Sequence, residues 1–209
     1  MSYINISRNL RKPRSFDASI KPADDQERVA ALRRLEIFDT PSEEIFSAYT
    51  ELAALTFNTP IALMSFVDED IVHYKQAYGV ERTGQLVPRK NSPCSIAILH
   101  HEFTQFRYAL TDPCVLADEE KLADVGYKFY AGAPLVTADH YNIGMLAVVD
   151  KAIRTYSNEE MQQLKQLANE VMGEIEFRLA FKNKSCTREV NERLKIIHSK
   201  VDSLRSQAF

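Results

Sequence analysis

Three sets of side chains have types and spacings that suit chemistry. Cys94 follows Ser92 and Pro93. Those two fit a helix cap and a first helical position. A thiol at a helix N-terminus is shifted toward thiolate by the macrodipole, which makes Cys94 a candidate reactive or ligand-contacting group. Asp68 and Asp150 each close an apolar run, Phe66-Val67-Asp68 and Val148-Val149-Asp150. With Arg89 or Arg154 nearby, such a carboxylate either orients a polar ligand or pins a loop by a charge-assisted hydrogen bond. Tyr127, Phe129 and Tyr130 form an aromatic cluster, and earlier apolar runs supply Phe66 and Tyr74. The candidate pocket is therefore Phe66, Asp68, Tyr74, Arg89, Cys94, Tyr127, Phe129, Tyr130 and Asp150.

Metal and cofactor chemistry finds little to work with. His100 and His101 are adjacent, so on a helix they point about 100° apart and do not share an ion easily. His73, His140 and His198 have no ligand-like spacing, and Cys94, Cys114 and Cys186 contain no C-x-x-C pair. There is no Walker sequence, G-x-G-x-x-G or H-E-x-x-H. No metal and no cofactor is expected.

The elements that must position these residues follow from pattern. Asp24-Asp25 opens a helix with Val29, Leu32 and Leu35 on one stripe. Thr40-Pro41-Ser42-Glu43 starts a second, running to about Asn58. Pro60 to Asp68 and Val72 to Val80 are strands, and Gly79 ends the latter. Glu81 to Asn91 is a polar loop before the Cys94 helix. Phe103 to Leu110 is a strand, stopped at Asp112-Pro113. Ala117 to Val125 is a short charged helix, with Gly126 as its stop. Lys128 to Thr137 and Ile143 to Asp150 form a hairpin around a polar turn. Small Gly132 and Ala133 inside it admit a close neighbour. Ser157 and Glu160 fit a capping box. Val190, Leu194, Ile197, Val201 and Leu204 then repeat at heptad-like spacing.

These motifs resemble the GAF domain family. The resemblance is carried by Phe129-Tyr-Ala-Gly-Ala-Pro-Leu135, by Ala31 to Glu44, by Pro60 to Asp68, by Pro88-Arg89, by the Cys94 region and by Gly144 to Asp150. It implies an α+β fold: a twisted antiparallel sheet with flanking helices, a ligand pocket on one sheet face, and a long coiled-coil-like C-terminal helix. Three segments are expected: an extended arm over 1–23, the GAF domain over 24–182 and a helical extension over 183–209. Bilin-attaching relatives usually place His after the attachment Cys. Here Ser95 follows Cys94, so no covalent chromophore is expected. The Asn-Lys-x-x-x-Phe-Asp-Glu signature of cyclic-nucleotide relatives is absent.

Charge separates the segments. Residues 1–23 carry a net charge of +4, residues 24–182 of −10 and residues 183–209 of +3. An acidic body argues against nucleic acid as the main partner. No apolar run approaches the ~20 residues of a membrane span, so no membrane partner and a cytoplasmic location are expected. His198 lacks the sequence of a phosphoacceptor box, so output must pass through a partner protein or an oligomer. The expected function is a sensory or regulatory module that binds a small molecule or a protein partner. It is expected to signal through a homodimer made by the C-terminal helix, and not to be an enzyme. A cysteine redox enzyme resembling free methionine sulfoxide reductase, and a ligand-free assembly module, are the alternatives. A continuous helix over 158–206 would be a rod of about 73 Å; the rival is a break at 183–187 with the last segment folded back.

Overall fold

Apolar residues on both faces of the strands require cover on both sides, and that requirement shapes the chain. The computed structural model describes residues 21–38, 43–106, 127–181 and 187–207. Helices α1 (Asp25–Arg34) and α2 (Glu44–Thr56) precede strands β1 (Ile61–Val67), β2 (Ile71–Tyr78) and β3 (Leu86–Pro88). A single 3-10 turn, Arg89–Asn91, leads into the one-turn helix α3 (Cys94–Ala97) and strand β4 (Thr104–Phe106). The hairpin β5 (Phe129–Val136) and β6 (Asn142–Asp150) follows, then α4 (Asn158–Phe181) and α5 (Thr187–Gln207). The expected Thr40 to Ser42 break, residues 107–110 of the expected strand, and the charged helix over Ala117 to Val125 lie outside the described residues. So do Cys114, Cys186 and most of the N-terminal arm.

The sheet runs β3-β2-β1-β6-β5-β4, and every neighbouring pair is antiparallel. This is the expected α+β architecture. The two local hairpins, β1–β2 and β5–β6, join along β1 and β6 through Ile61↔Val149 to Phe66↔Gly144. The join is tight: a Cβ on Gly144 would lie 2.1 Å from the Ser65 carbonyl oxygen. Alternation along the strands sends Met64, Phe66, Phe129, Leu135 and Leu146 to one face, under α2 and α4. It sends Ile61, Leu63, Tyr74, Tyr130, Met145 and Ala147 to the other face, under α3.

Helix α4 starts at the capping box the sequence indicates. The Ser157 N–H donates to Glu160 Oε2 at 2.7 Å, and the Glu160 N–H donates to Ser157 Oγ at 3.2 Å. The continuous rod is not what forms. Residues 158–181 and 187–207 are separate helices, and α5 returns antiparallel along α4. Arg193 meets Glu174 at 2.9 Å, and seven residues later Lys200 meets Glu170 at 3.6 Å. Along α2 the direction is parallel, with His198 beside Glu44 and Arg205 on Glu51. Ile197 and Val201 are thereby buried in the helix-side core. The heptad-like stripe is covered inside the chain by α2 and α4. No helix among the described residues is long and apolar enough to cross a membrane.

Candidate functional site

The face of the sheet away from α2 and α4 is the part of the molecule where polar atoms gather inside an apolar layer. Tyr74 and Tyr130 point into it from β2 and β5, both almost fully buried. The Tyr74 Oη and Ser92 Oγ lie 3.0 Å apart, and Ser92 Oγ accepts the Cys94 backbone N–H at 3.3 Å. Tyr130 Oη donates to Cys94 Sγ at 3.6 Å, and its ring stacks on Phe106 with centroids 5.3 Å apart. Helix α3 is held over this face from two directions. Asn142 Nδ2 donates to the carbonyls of Ile98 at 3.2 Å and His100 at 2.8 Å, and Ser95 Oγ donates to the Arg89 carbonyl at 2.6 Å.

Electrostatics keep the two phenols neutral. Burial raises Tyr74 and Tyr130 well above the ordinary tyrosine value, and the neighbouring Cys94 adds to both. Burial also raises Tyr127 at the margin of the same layer. Neutral phenols can donate as well as accept. Two further hydroxyls on this face, Ser65 Oγ and Thr104 Oγ1, are buried without a hydrogen-bond partner among the described residues. Ser65 stands beside Tyr74 in the β1–β2 register, and Thr104 stands beside Gly132 in the β4–β5 register. Gly132 leaves room for the Tyr130 hydroxyl, which would lie 2.7 Å from an added Cβ.

The nine residues singled out from sequence divide into four places. Tyr74, Cys94 and Tyr130 meet, with Tyr127 at the edge. Phe66 and Phe129 do not join them: both belong to the opposite core, where Phe129 packs edge-on to Tyr156 with centroids 5.0 Å apart. Asp68 and Arg89 sit at one end of the sheet but do not pair through their charges. Asp68 faces Arg33 at 3.1 Å, and Arg89 forks onto Asp25 at 2.7 and 3.0 Å while also reaching the Asp68 and Glu69 carbonyls. Asp150 accepts from Arg154 Nε at 2.5 Å and from the Ala152 N–H at 2.8 Å, so it fastens the loop after β6.

Helix α3 has only one turn, Cys94–Ala97, and the Cys94 sulfur is fully buried against Tyr130, as a small packed thiol at a helix–sheet contact would be. Sequence reasoning missed Asp25, Arg28, Ser65, Arg82 and Thr104. Ser65 carried a readable signal, as a lone hydroxyl in the apolar run Ile61 to Val67. Among the described residues no group of three His, Cys, Asp or Glu side chains could hold a metal ion.

Comparison with known proteins places this geometry. The family model described as GAF domain matches residues 41–175. Over 155 residues the chain is 30% identical to a cyclic di-GMP phosphodiesterase of Pseudomonas aeruginosa, covering 74% of this chain and 26% of that protein. The chain thus spans about a quarter of that relative's length. Among solved structures, a far-red cyanobacteriochrome photoreceptor is similar with a TM-score of 0.55 at 12% identity, over 72% of this chain and 94% of that one. The blue-light-absorbing form of the Thermosynechococcus elongatus PixJ GAF domain gives 0.53 at 15%, over 76% and 94%. The GAF domain of an Acinetobacter phosphoenolpyruvate-protein phosphotransferase gives 0.52 at 15%, over 75% and 98%. At such identities these structures speak for the fold alone. The expectation of a non-enzyme is overturned by the Pseudomonas relative, which is named as an enzyme. That expectation rested on missing catalytic motifs within one stretch, and missing motifs do not remove a chain from an enzyme's lineage.

Proposed function

This chain belongs to the GAF domain family, a family of sensory and regulatory modules, and from that premise we propose that it binds a small molecule on the sheet face carrying Tyr74, Cys94 and Tyr130. One observation carries the proposal. Ser65 Oγ and Thr104 Oγ1 are buried on that face with no partner among the described residues. A buried hydroxyl left unpaired costs about 1–3 kcal/mol, so closed cores seldom keep two of them on one face. A ligand with its own donors and acceptors removes that cost on binding. The phenols of Tyr74 and Tyr130 and the Cys94 sulfur supply an aromatic, polarisable lining around the same place.

Native mass spectrometry of the purified chain, with an absorbance spectrum, tests this reading. The expected result is a retained mass that dissociates on unfolding and falls off in Ser65→Ala and Thr104→Val. Protein that carries no added mass, and that keeps its melting temperature against a metabolite extract, counts against a ligand on this face.

The identity with a cyclic di-GMP phosphodiesterase favours one context. We propose that this module works in turnover of cyclic di-GMP, by regulating that reaction or as part of a chain that performs it. Output to a second copy or to a partner protein would run through α4 and α5, whose outer sides expose Leu179 and Ile196. Assay of cyclic di-GMP hydrolysis, with the chain alone and with added metabolite extract, checks this second reading.

A further inference from the structure

We propose that this ligand face reads an anionic group, a carboxylate or a phosphate, through Arg82. The inference rests on the small-molecule reading above and names the charge of the molecule that reading leaves open. The chain is acidic overall, with 29 Asp and Glu against 26 Lys and Arg. Carboxylates are thus plentiful, and every other described arginine has one within ion-pair distance. Arg82 is the exception among the described residues. Its guanidinium lies over the Tyr74 ring, 5.5 Å from the centroid, and pairs with no carboxylate of the described residues.

Its position is built by the backbone. The loop after β2 is tied back onto Tyr74 by two hydrogen bonds, Gly84 N–H to the Tyr74 carbonyl at 2.7 Å and Tyr74 N–H to the Gln85 carbonyl at 2.9 Å. Inside that loop the Gln85 N–H donates to the Arg82 carbonyl at 3.0 Å. The ring beneath cannot move away, because Tyr74 is buried and its hydroxyl is held at Ser92. Tyr127, whose phenol burial raises and the Arg82 charge lowers, belongs to the same layer, reaching it from the segment before β5. Beside Tyr74 stands the unpartnered hydroxyl of Ser65.

These groups suit one kind of ligand. An unpaired guanidinium presents a fork of donors that matches a carboxylate or phosphate edge. Its half-buried place over an aromatic ring lowers the local dielectric and strengthens the attraction relative to open solvent. The ring and the Ser65 hydroxyl then serve the ligand's uncharged body. The motive for leaving Arg82 without an internal carboxylate is that an internal partner would have to be displaced each time the ligand arrived.

The test uses the full chain and matched probes: benzoate and phenyl phosphate against benzamide and benzyl alcohol, at constant ionic strength. Tyrosine fluorescence and melting temperature report binding, and the chain has nine Tyr and no Trp to obscure the signal. At least one anionic probe is expected to bind tenfold or more tightly than its neutral counterpart. Arg82→Gln removes that preference, Arg82→Lys keeps part of it, and Arg188→Gln on α5 leaves it intact. Preference for benzoate or for phenyl phosphate decides which acid is read. Equal binding of charged and neutral probes, or a preference that survives Arg82→Gln, overturns the role of Arg82 while leaving a small-molecule site in place. Failure of both anionic probes to bind overturns it as well, whereas the broader reading stands or falls on the retained mass.

Discussion

Asp25 holds both terminal nitrogens of Arg89, at 2.7 and 3.0 Å, across 64 residues of sequence. Its Oδ1 also accepts from Arg28 Nε at 2.8 Å, and Arg28 in turn donates to the Val67 carbonyl. One carboxylate therefore serves two buried guanidinium groups and ties α1 to the turn that leads into α3. Asp25→Asn removes the carboxylate that both guanidinium groups share, at a cost of roughly 3–5 kcal/mol for a broken buried pair. A drop in melting temperature is expected, together with faster labelling of Cys94 as α3 loosens. An unchanged melt would show that the ion cluster is not structural.

The same carboxylate sets a pH dependence. Burial pushes Asp25 upward, but the hydrogen bonds and charges of Arg89 and Arg28 outweigh it, and the net shift is downward. A depressed carboxylate stabilises the fold above its unfolded value, about 3.9, and that stability is lost as pH falls through the folded value. Melting temperatures recorded on acidification should fall more steeply below about pH 4 in the wild type than in Asp25→Asn. Parallel curves would remove Asp25 from the acid response.

Gly132 is predicted to resist enlargement. An added Cβ would lie 2.7 Å from the Tyr130 hydroxyl and 2.9 Å from Met145 Cε. Both are ends of side chains, so alanine can be fitted by small shifts. Valine cannot, and Gly132→Val should cost roughly 1–3 kcal/mol through overpacking. Denaturant melts of the two variants decide it, and equal stability for both would contradict the packing described.

Cys94 is predicted to be a packing residue. Its sulfur is buried and accepts the Tyr130 hydroxyl, so Cys94→Ser should cost on the order of 1 kcal/mol and leave the fold intact. Co-expression with bilin-synthesis enzymes should give colourless protein. A visible band that disappears in Cys94→Ser would establish covalent attachment instead.

Ile197 is the centre of the contact that α5 makes with the body, only 3% exposed. Ile197→Ala should cost about 2–4 kcal/mol, as a large-to-small change in a core. Truncation after Lys182 should lower the melting temperature further, because it uncovers the α2 and α4 surface. Light scattering of both forms then reports whether the uncovered surface recruits a second copy.

Five of the six strands were readable because alternation and turn residues are local signals; β3 (Leu86–Pro88) was read as part of a polar loop over Glu81 to Asn91, because three largely exposed residues on a sheet edge carry no alternation. Local alternation also sets a limit that went unused. Phe129 and Tyr130 are neighbours on one strand, so they face opposite ways and cannot both line one pocket. Which parity faces the helices depends on the whole sheet, and so Phe66 and Phe129 were grouped with residues of the opposite face. The Asp25–Arg89 pair was not legible at all, since nothing nearby in sequence links residues 64 apart. The fold-back of α5 was undecidable for a different reason: Val190 to Leu204 buries the same stripe against a second copy or against its own α2 and α4. Arg82 gave no signal because its distinction is the lack of a partner, which exists only in three dimensions.

The return of α5 along α4 also fixes where mechanical reach ends. A straight helix would carry its last residues tens of ångströms from the sheet, as a lever whose tip amplifies a small tilt at the base. Folded back, Arg205 lies against Glu51, and the far end of α5 stays beside α2. A tilt of α5 is then shared with the body of the domain instead of being magnified at a distant tip.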